Sequence, residues 1–141
     1  MYNRSMLAEI QALAKEFRII TVLGPRQAGK TTLCRMAFPE YKYVSLEDPD
    51  TRLYATEDPR GFLNEYRQYV IFDEVQRAPQ LLSYMQTIVD EDKLKAQFIL
   101  TGSHQLELSA AIAQSLAGRT AQLTLLPLSM HELNQDINAN G

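Results

Sequence analysis

The segment Gly24-Pro25-Arg26-Gln27-Ala28-Gly29-Lys30-Thr31 constrains this chain more than any other. It has the spacing G-x-x-x-x-G-K-[ST] and lies between an apolar run, Phe17–Leu23, and a short stretch of helical character, Thr31–Phe38, stopped by Pro39. The spacing has a physical reason. A loop that wraps a phosphate must turn successive backbone N–H groups inward, and glycine at both ends permits backbone angles and close approach that a Cβ would block. Lys30 then reaches the β- and γ-phosphates, Thr31 offers a hydroxyl to Mg²⁺, and the following helix adds its positive N-terminal end. The candidate phosphate contacts are therefore Gly24, Gln27, Ala28, Gly29, Lys30, Thr31 and Thr32. Arg26 lies inside the loop and reads as a solvated side chain.

Such a loop needs a strand before it and a helix after it, and the rest of the chain continues in that rhythm. Met6, Leu7, Ile10, Leu13 and Ala14 form one helical face. The β-branched run Phe17–Leu23 reads as a buried strand, and Tyr43–Leu46 as a second. The stretch Glu47–Arg67 is polar and broken by Pro49 and Pro59, with Asp58-Pro59 a good helix start. Tyr69–Phe72 is a third strand. A helix opens near Pro79 with Leu81, Leu82, Met85, Ile88 and Val89 on one face. Phe98–Leu100 is a fourth strand, Leu108–Ala117 a helix, and Leu123–Leu126 a fifth strand stopped by Pro127. Ser129 to Glu132 has capping-box spacing and opens a last short helix. Alternating strands and helices predict an α/β fold: a P-loop NTPase core with a five-stranded, mostly parallel sheet and helices on both faces. Residues 1–128 are expected to form the nucleotide-binding domain and 129–141 to begin a link to a further region.

Composition narrows the classes. The chain has 141 residues and a net charge of -3, which argues against coating nucleic acid by charge alone. Lone Cys34 allows no internal disulfide and fits a reducing, cytoplasmic setting. Together with His104 and His131, it cannot furnish four ligands for a structural zinc. No uncharged stretch exceeds 12 residues, whereas a spanning helix needs about 20 apolar ones.

Asp73 and Glu74 close the third apolar run, at the strand end where open α/β sheets bind ligands. There Asp73 would hold Mg²⁺ through a water, and Glu74 would orient or deprotonate the water that attacks the γ-phosphate. Thr101-Gly102-Ser103 ends the fourth strand, so Thr101 or Ser103 could bond the γ-phosphate or that water; the alternative is a turn with a helix cap.

The set GPRQAGKTT (24–32), SLEDP (45–49), DPRGFL (58–63), DEVQRAP (73–79), ILTGS (99–103), SLAGR (115–119) and PLSMHEL (127–133) resembles a prokaryotic family of predicted ATPases of the AAA+ superfamily. The resemblance covers nearly the whole chain. It implies an ATP-binding core in which Lys30 and Thr31 are the Walker A pair, Asp73 and Glu74 are Walker B, and Thr101 or Ser103 is the polar sensor. It also implies that Arg119, ahead of the fifth strand, stands where such proteins keep an arginine finger for a neighbouring subunit. Position alone equally allows a helix-end cation. Family members usually continue into a second domain.

The expected activity is thus Mg²⁺-dependent ATP binding and hydrolysis, coupled to another domain, a homo-oligomer, or a protein or nucleic-acid client. A small-molecule phosphotransferase fits less well, because Glu74 is placed to activate water. A GTPase lacks its Asn-Lys-x-Asp tetrapeptide. The alternative of another class is a nucleotide-gated binding module with little turnover.

Overall fold

A computed structural model describes residues 4–25 and 28–125. The elements run α1 (Arg4–Leu13), β1 (Ile19–Leu23), α2 (Lys30–Ala37), β2 (Lys42–Ser45), α3 (Pro49–Glu57), α4 (Pro59–Glu65), β3 (Val70–Asp73), α5 (Leu81–Asp92), β4 (Phe98–Gly102), α6 (Leu106–Leu116) and β5 (Thr120–Thr124), with a 3₁₀ turn at Val75–Arg77. The five strands form one sheet in the order β2-β3-β4-β1-β5. All four pairings are parallel. A parallel sheet has to be covered on both faces, and the period-2 alternation of the strands assigns each face. Ile19, Leu23, Val70, Phe72, Phe98 and Leu100 turn toward a core completed by Ala55 of α3 and apolar residues of α4, α5 and α6. Ile20, Val22, Ile71 and Ile99 turn the other way, toward Ile10 of α1 and Leu33, Cys34 and Ala37 of α2.

The α/β reading holds, with three differences. The polar stretch after Glu47 contains α3, a helix with Asp48 as its N-cap and Pro49 in its first turn. Its only buried residue is Ala55, so no apolar stripe announces it. The fifth strand, expected at Leu123–Leu126, begins three residues earlier and spans Thr120–Thr124, with Leu126 outside the described residues. Among the described residues it pairs only with β1, at an edge of the sheet, so its sequence, TAQLT, need not be uniformly apolar. Helix α6 starts two residues earlier than its apolar face suggests. The helix expected from Ser129 lies outside the described residues, as do Arg26 and Gln27. No helix among the described residues is long and apolar enough to cross a membrane.

Candidate functional site

The sheet order places the C-terminal ends of β1, β3 and β4 side by side, and the candidate residues sit there. Gly24 leaves β1 with its N–H donating to the Gly102 carbonyl at the end of β4, 3.0 Å away. A Cβ on Gly24 would come within 2.7 Å of the Leu125 carbonyl oxygen, so only glycine lets the chain leave the sheet here. Gly29 closes the loop at φ 83° and caps α2, a left-handed conformation that glycine adopts without a Cβ clash. Ala28 is buried against the α1–α2 core. Lys30 follows as the first residue of α2 and is only 3% exposed. Its ammonium donates to the Pro25 carbonyl at 3.3 Å and lies 3.6 Å from Glu74 Oε1. A lysine buried to this depth needs such partners.

Asp73 ends β3 on the sheet face covered by α2, by the same parity that places Ile71 there. Three hydroxyls converge on its carboxylate. Thr31 Oγ1 donates to Oδ1 at 2.7 Å, Thr101 Oγ1 donates to Oδ1 at 2.5 Å, and the Tyr43 hydroxyl donates to Oδ2 at 2.7 Å. Burial, and next the bond to Asp73, push the Tyr43 phenol up to about 12. Burial also pushes the Cys34 thiol, which α2 carries beneath the site, up to about 12, so it stays protonated at neutral pH.

Glu74 takes φ 59°, ψ 56°, the left-handed region that non-glycine residues adopt at a cost. The turn is held because the Glu74 N–H donates to Thr101 Oγ1 at 3.0 Å. Thr101 thus ties Asp73 and Glu74 together, donating to one and accepting from the other. Gln76 in the 3₁₀ turn spans the next gap: its Nε2 lies 3.5 Å from Glu74 Oε1, and its Oε1 accepts the Ser103 N–H at 3.3 Å. The Ser103 hydroxyl is buried without a hydrogen-bond partner among the described residues.

Lys30, Thr31, Asp73, Glu74, Thr101 and Ser103 are therefore gathered at one end of the sheet. Thr32 lies within α2, one residue beyond Thr31. Arg119 is not among them. Its backbone carbonyl accepts from Ile19 N–H at the start of β1, so roughly 13 Å of strand separates it from the loop. There its guanidinium makes a two-pronged pair with Asp90, 2.8 Å on each prong, and also donates to the Ala117 carbonyl at 3.0 Å. Arg18 joins the same carboxylate at 3.1 Å. The Arg119 guanidinium, with Arg18 behind it, holds the Asp90 carboxyl below the usual carboxylate range. Tyr43 and Gln76 were not legible as site residues from the sequence. The signal for Tyr43 is the register Ser45↔Asp73, which sets Tyr43 two residues back on the same face.

The donor chemistry suits a nucleotide and Mg²⁺. Thr31 and Asp73 present hard oxygens 2.7 Å apart, the ligand type Mg²⁺ takes alongside phosphate oxygens and waters. The buried ammonium and the glycine-bounded loop suit phosphate.

Residues 16–134 match the AAA domain family. The chain belongs to that family. This AAA domain is 30% identical over 134 residues to uncharacterized proteins of Mycobacterium tuberculosis and Mycobacterium bovis; the match takes in 93% of the chain but only 30% of the length of each mycobacterial protein. Among solved structures, the Walker-type ATPase of Pyrococcus abyssi superimposes with a TM-score of 0.58 at 18% identity, covering 98% of this AAA domain and 59% of that chain. A signal-transduction ATPase with a tetratricopeptide-repeat sensor from Pyrococcus horikoshii gives 0.54 at 16% identity, over 99% and 25%. A DNA replication initiation factor gives 0.52 at 15% identity, over 96% and 49%. At these identities the likeness is one of fold: the five-stranded parallel sheet with helices on both faces is that of P-loop ATPases.

Proposed function

We propose that this AAA domain binds ATP with Mg²⁺ and hydrolyses it, passing its nucleotide state to a further domain, a second copy or a client. The observation that carries the reading is the convergence of Lys30, Thr31, Asp73 and Glu74 from the start of α2 and the end of β3, 42 and more residues apart in sequence. Lys30 and the loop N–H groups, Gln27 and Thr32 included, would hold the phosphates. Thr31 and Asp73 would hold Mg²⁺, which when bound neutralises charge on the β- and γ-oxygens. Glu74 stands beside Lys30 and so would face the terminal phosphate; its carboxylate would accept a proton from the attacking water. Thr101 is committed to Asp73 and Glu74, whereas the Ser103 hydroxyl has no such tie. Ser103 is therefore the better candidate for contact with the γ-phosphate or the water, and Thr101 for holding the carboxylates.

The decisive comparison is Glu74→Gln against the parent chain. Glutamine keeps the size but takes no proton. Calorimetry should show Mg·ATP affinity within a fewfold, while phosphate release falls ~10²–10⁴-fold. Equal turnover would remove Glu74 as the base. A second reading, a nucleotide-gated module with little turnover of its own, is favoured by one observation: Arg119 is bound to Asp90 at the far end of the sheet, leaving its own site without that cation.

A further inference from the structure

Of the three hydroxyls on Asp73, two come from elements the nucleotide reading already uses, and the third does not. Tyr43 reaches in from β2, an edge strand beyond β3. Tyr43 is 37% exposed whereas Asp73 is buried, so the tyrosine lies between the Asp73 carboxylate and solvent. The Arg35 guanidinium lies 4.7 Å from the ring centroid, within reach of the attraction between a cation and an aromatic face. Arg35 follows Thr31 by four residues on α2, so the two share one side of that helix. A closed circuit results: α2 presents Thr31 to Oδ1 of Asp73, Tyr43 holds Oδ2, and α2 again, through Arg35, holds Tyr43. A carboxylate bonded only at Oδ1 rotates readily, because its terminal torsion is broad. The bond at Oδ2 removes that freedom.

We propose that Tyr43 is a positioning residue for the Mg²⁺ site, fixing Oδ2 of Asp73 so that Oδ1 stays turned toward Thr31. This rests on the reading of Thr31 and Asp73 as the Mg²⁺ pair. Partners that orient a metal ligand from behind typically alter metal affinity about 10–100-fold when removed. Tyr43 is one of three donors to Asp73, which puts its effect near the lower bound.

The test is Tyr43→Phe, which keeps the ring, and with it the Arg35 contact, and deletes only the hydroxyl. ADP binding is measured by calorimetry in EDTA and across a series of Mg²⁺ concentrations, for parent and variant, alongside melting temperature. The expected result is ADP affinity without Mg²⁺ unchanged within about twofold, and a Mg²⁺ concentration for half of the affinity gain raised about tenfold. An unchanged half-point overturns the role of Tyr43 and leaves nucleotide binding intact. A parallel loss of Mg²⁺-free affinity and melting temperature also overturns it, since Tyr43 would then only support the fold. A parent chain that binds no ADP at all overturns the nucleotide reading itself.

Discussion

Lys30 and Glu74 are each almost fully buried, and each is the other's counter-charge at 3.6 Å. Any phosphate that Lys30 takes shares the ammonium with Glu74. Lys30→Ala should therefore do two things. It removes a charge-assisted contact to phosphate, ~1.5–3 kcal/mol, or roughly ten- to hundredfold in Mg·ATP affinity. It also strands the Glu74 carboxylate, at a cost of about 1–3 kcal/mol in stability. Urea titration of the single variant and of Lys30→Ala/Glu74→Gln separates the two: the double variant should regain part of the lost stability and none of the affinity. A double variant as unstable as the single one would show that the pair contributes nothing. From sequence alone Lys30 reads as a residue the fold hardly needs, since a loop lysine is ordinarily solvated. What was legible, the loop and the Asp73-Glu74 strand end, is contiguous in the chain and fixed by local spacing. Tyr43 and Gln76 were not, because their roles depend on which strand lies beside β3 and on how the chain turns after Glu74, neither of which a local pattern encodes.

At the scale of elements, one device appears twice in succession. Asp48 and Asp58 each precede a proline, and each side chain accepts a backbone N–H three residues on, from Thr51 and Gly61 respectively. The second was readable from the aspartate cap and the proline in the first turn; the first carries the same pair but no apolar stripe, because α3 buries a single alanine and leaves Leu53 and Tyr54 exposed. Helix α4 matters to the core out of proportion to its seven residues. Phe62 is fully buried and stacks edgewise or tilted against Tyr54, Tyr66 and Phe72. Asp58→Ala should then lower stability by about 1 kcal/mol, the ordinary value of an N-cap. Denaturant midpoints of the parent, Asp58→Ala and Asp58→Asn check this. Asparagine can accept the same N–H and should lie near the parent; an alanine variant that also matched it would show that the cap does not support the helix.

Across the whole molecule the sheet separates two ends. One gathers the candidate nucleotide residues. The other carries the Arg18–Asp90–Arg119 knot, which ties the start of β1, the last turn of α5 and the approach to β5. The place of Arg119 before a strand was legible; its end of the sheet was not, since that follows from the pairing of β5 with β1. An arginine that completes a neighbour's site must leave Asp90 when copies meet. A guanidinium stays charged throughout and can offset charge on a phosphoryl group in transfer. If Arg119 works in this way, specific ATPase activity rises with protein concentration, and mixing Arg119→Ala with Lys30→Ala restores turnover that neither has alone. Activity independent of concentration, with no rescue on mixing, would leave Arg119 as a structural brace.

The order of the strands also has a consequence in time. β1 lies between β4 and β5, and Ile19 pairs with Phe98 and with Thr120, so its partners are synthesised roughly eighty and a hundred residues after it. Contacts of such long sequence separation form slowly and leave apolar segments waiting. The phosphate loop hangs from the end of β1, and its first glycine is held against Gly102 and Leu125. The part of the chain most recognisable in its sequence thus gains the partners that brace it only once residue 125 has been made.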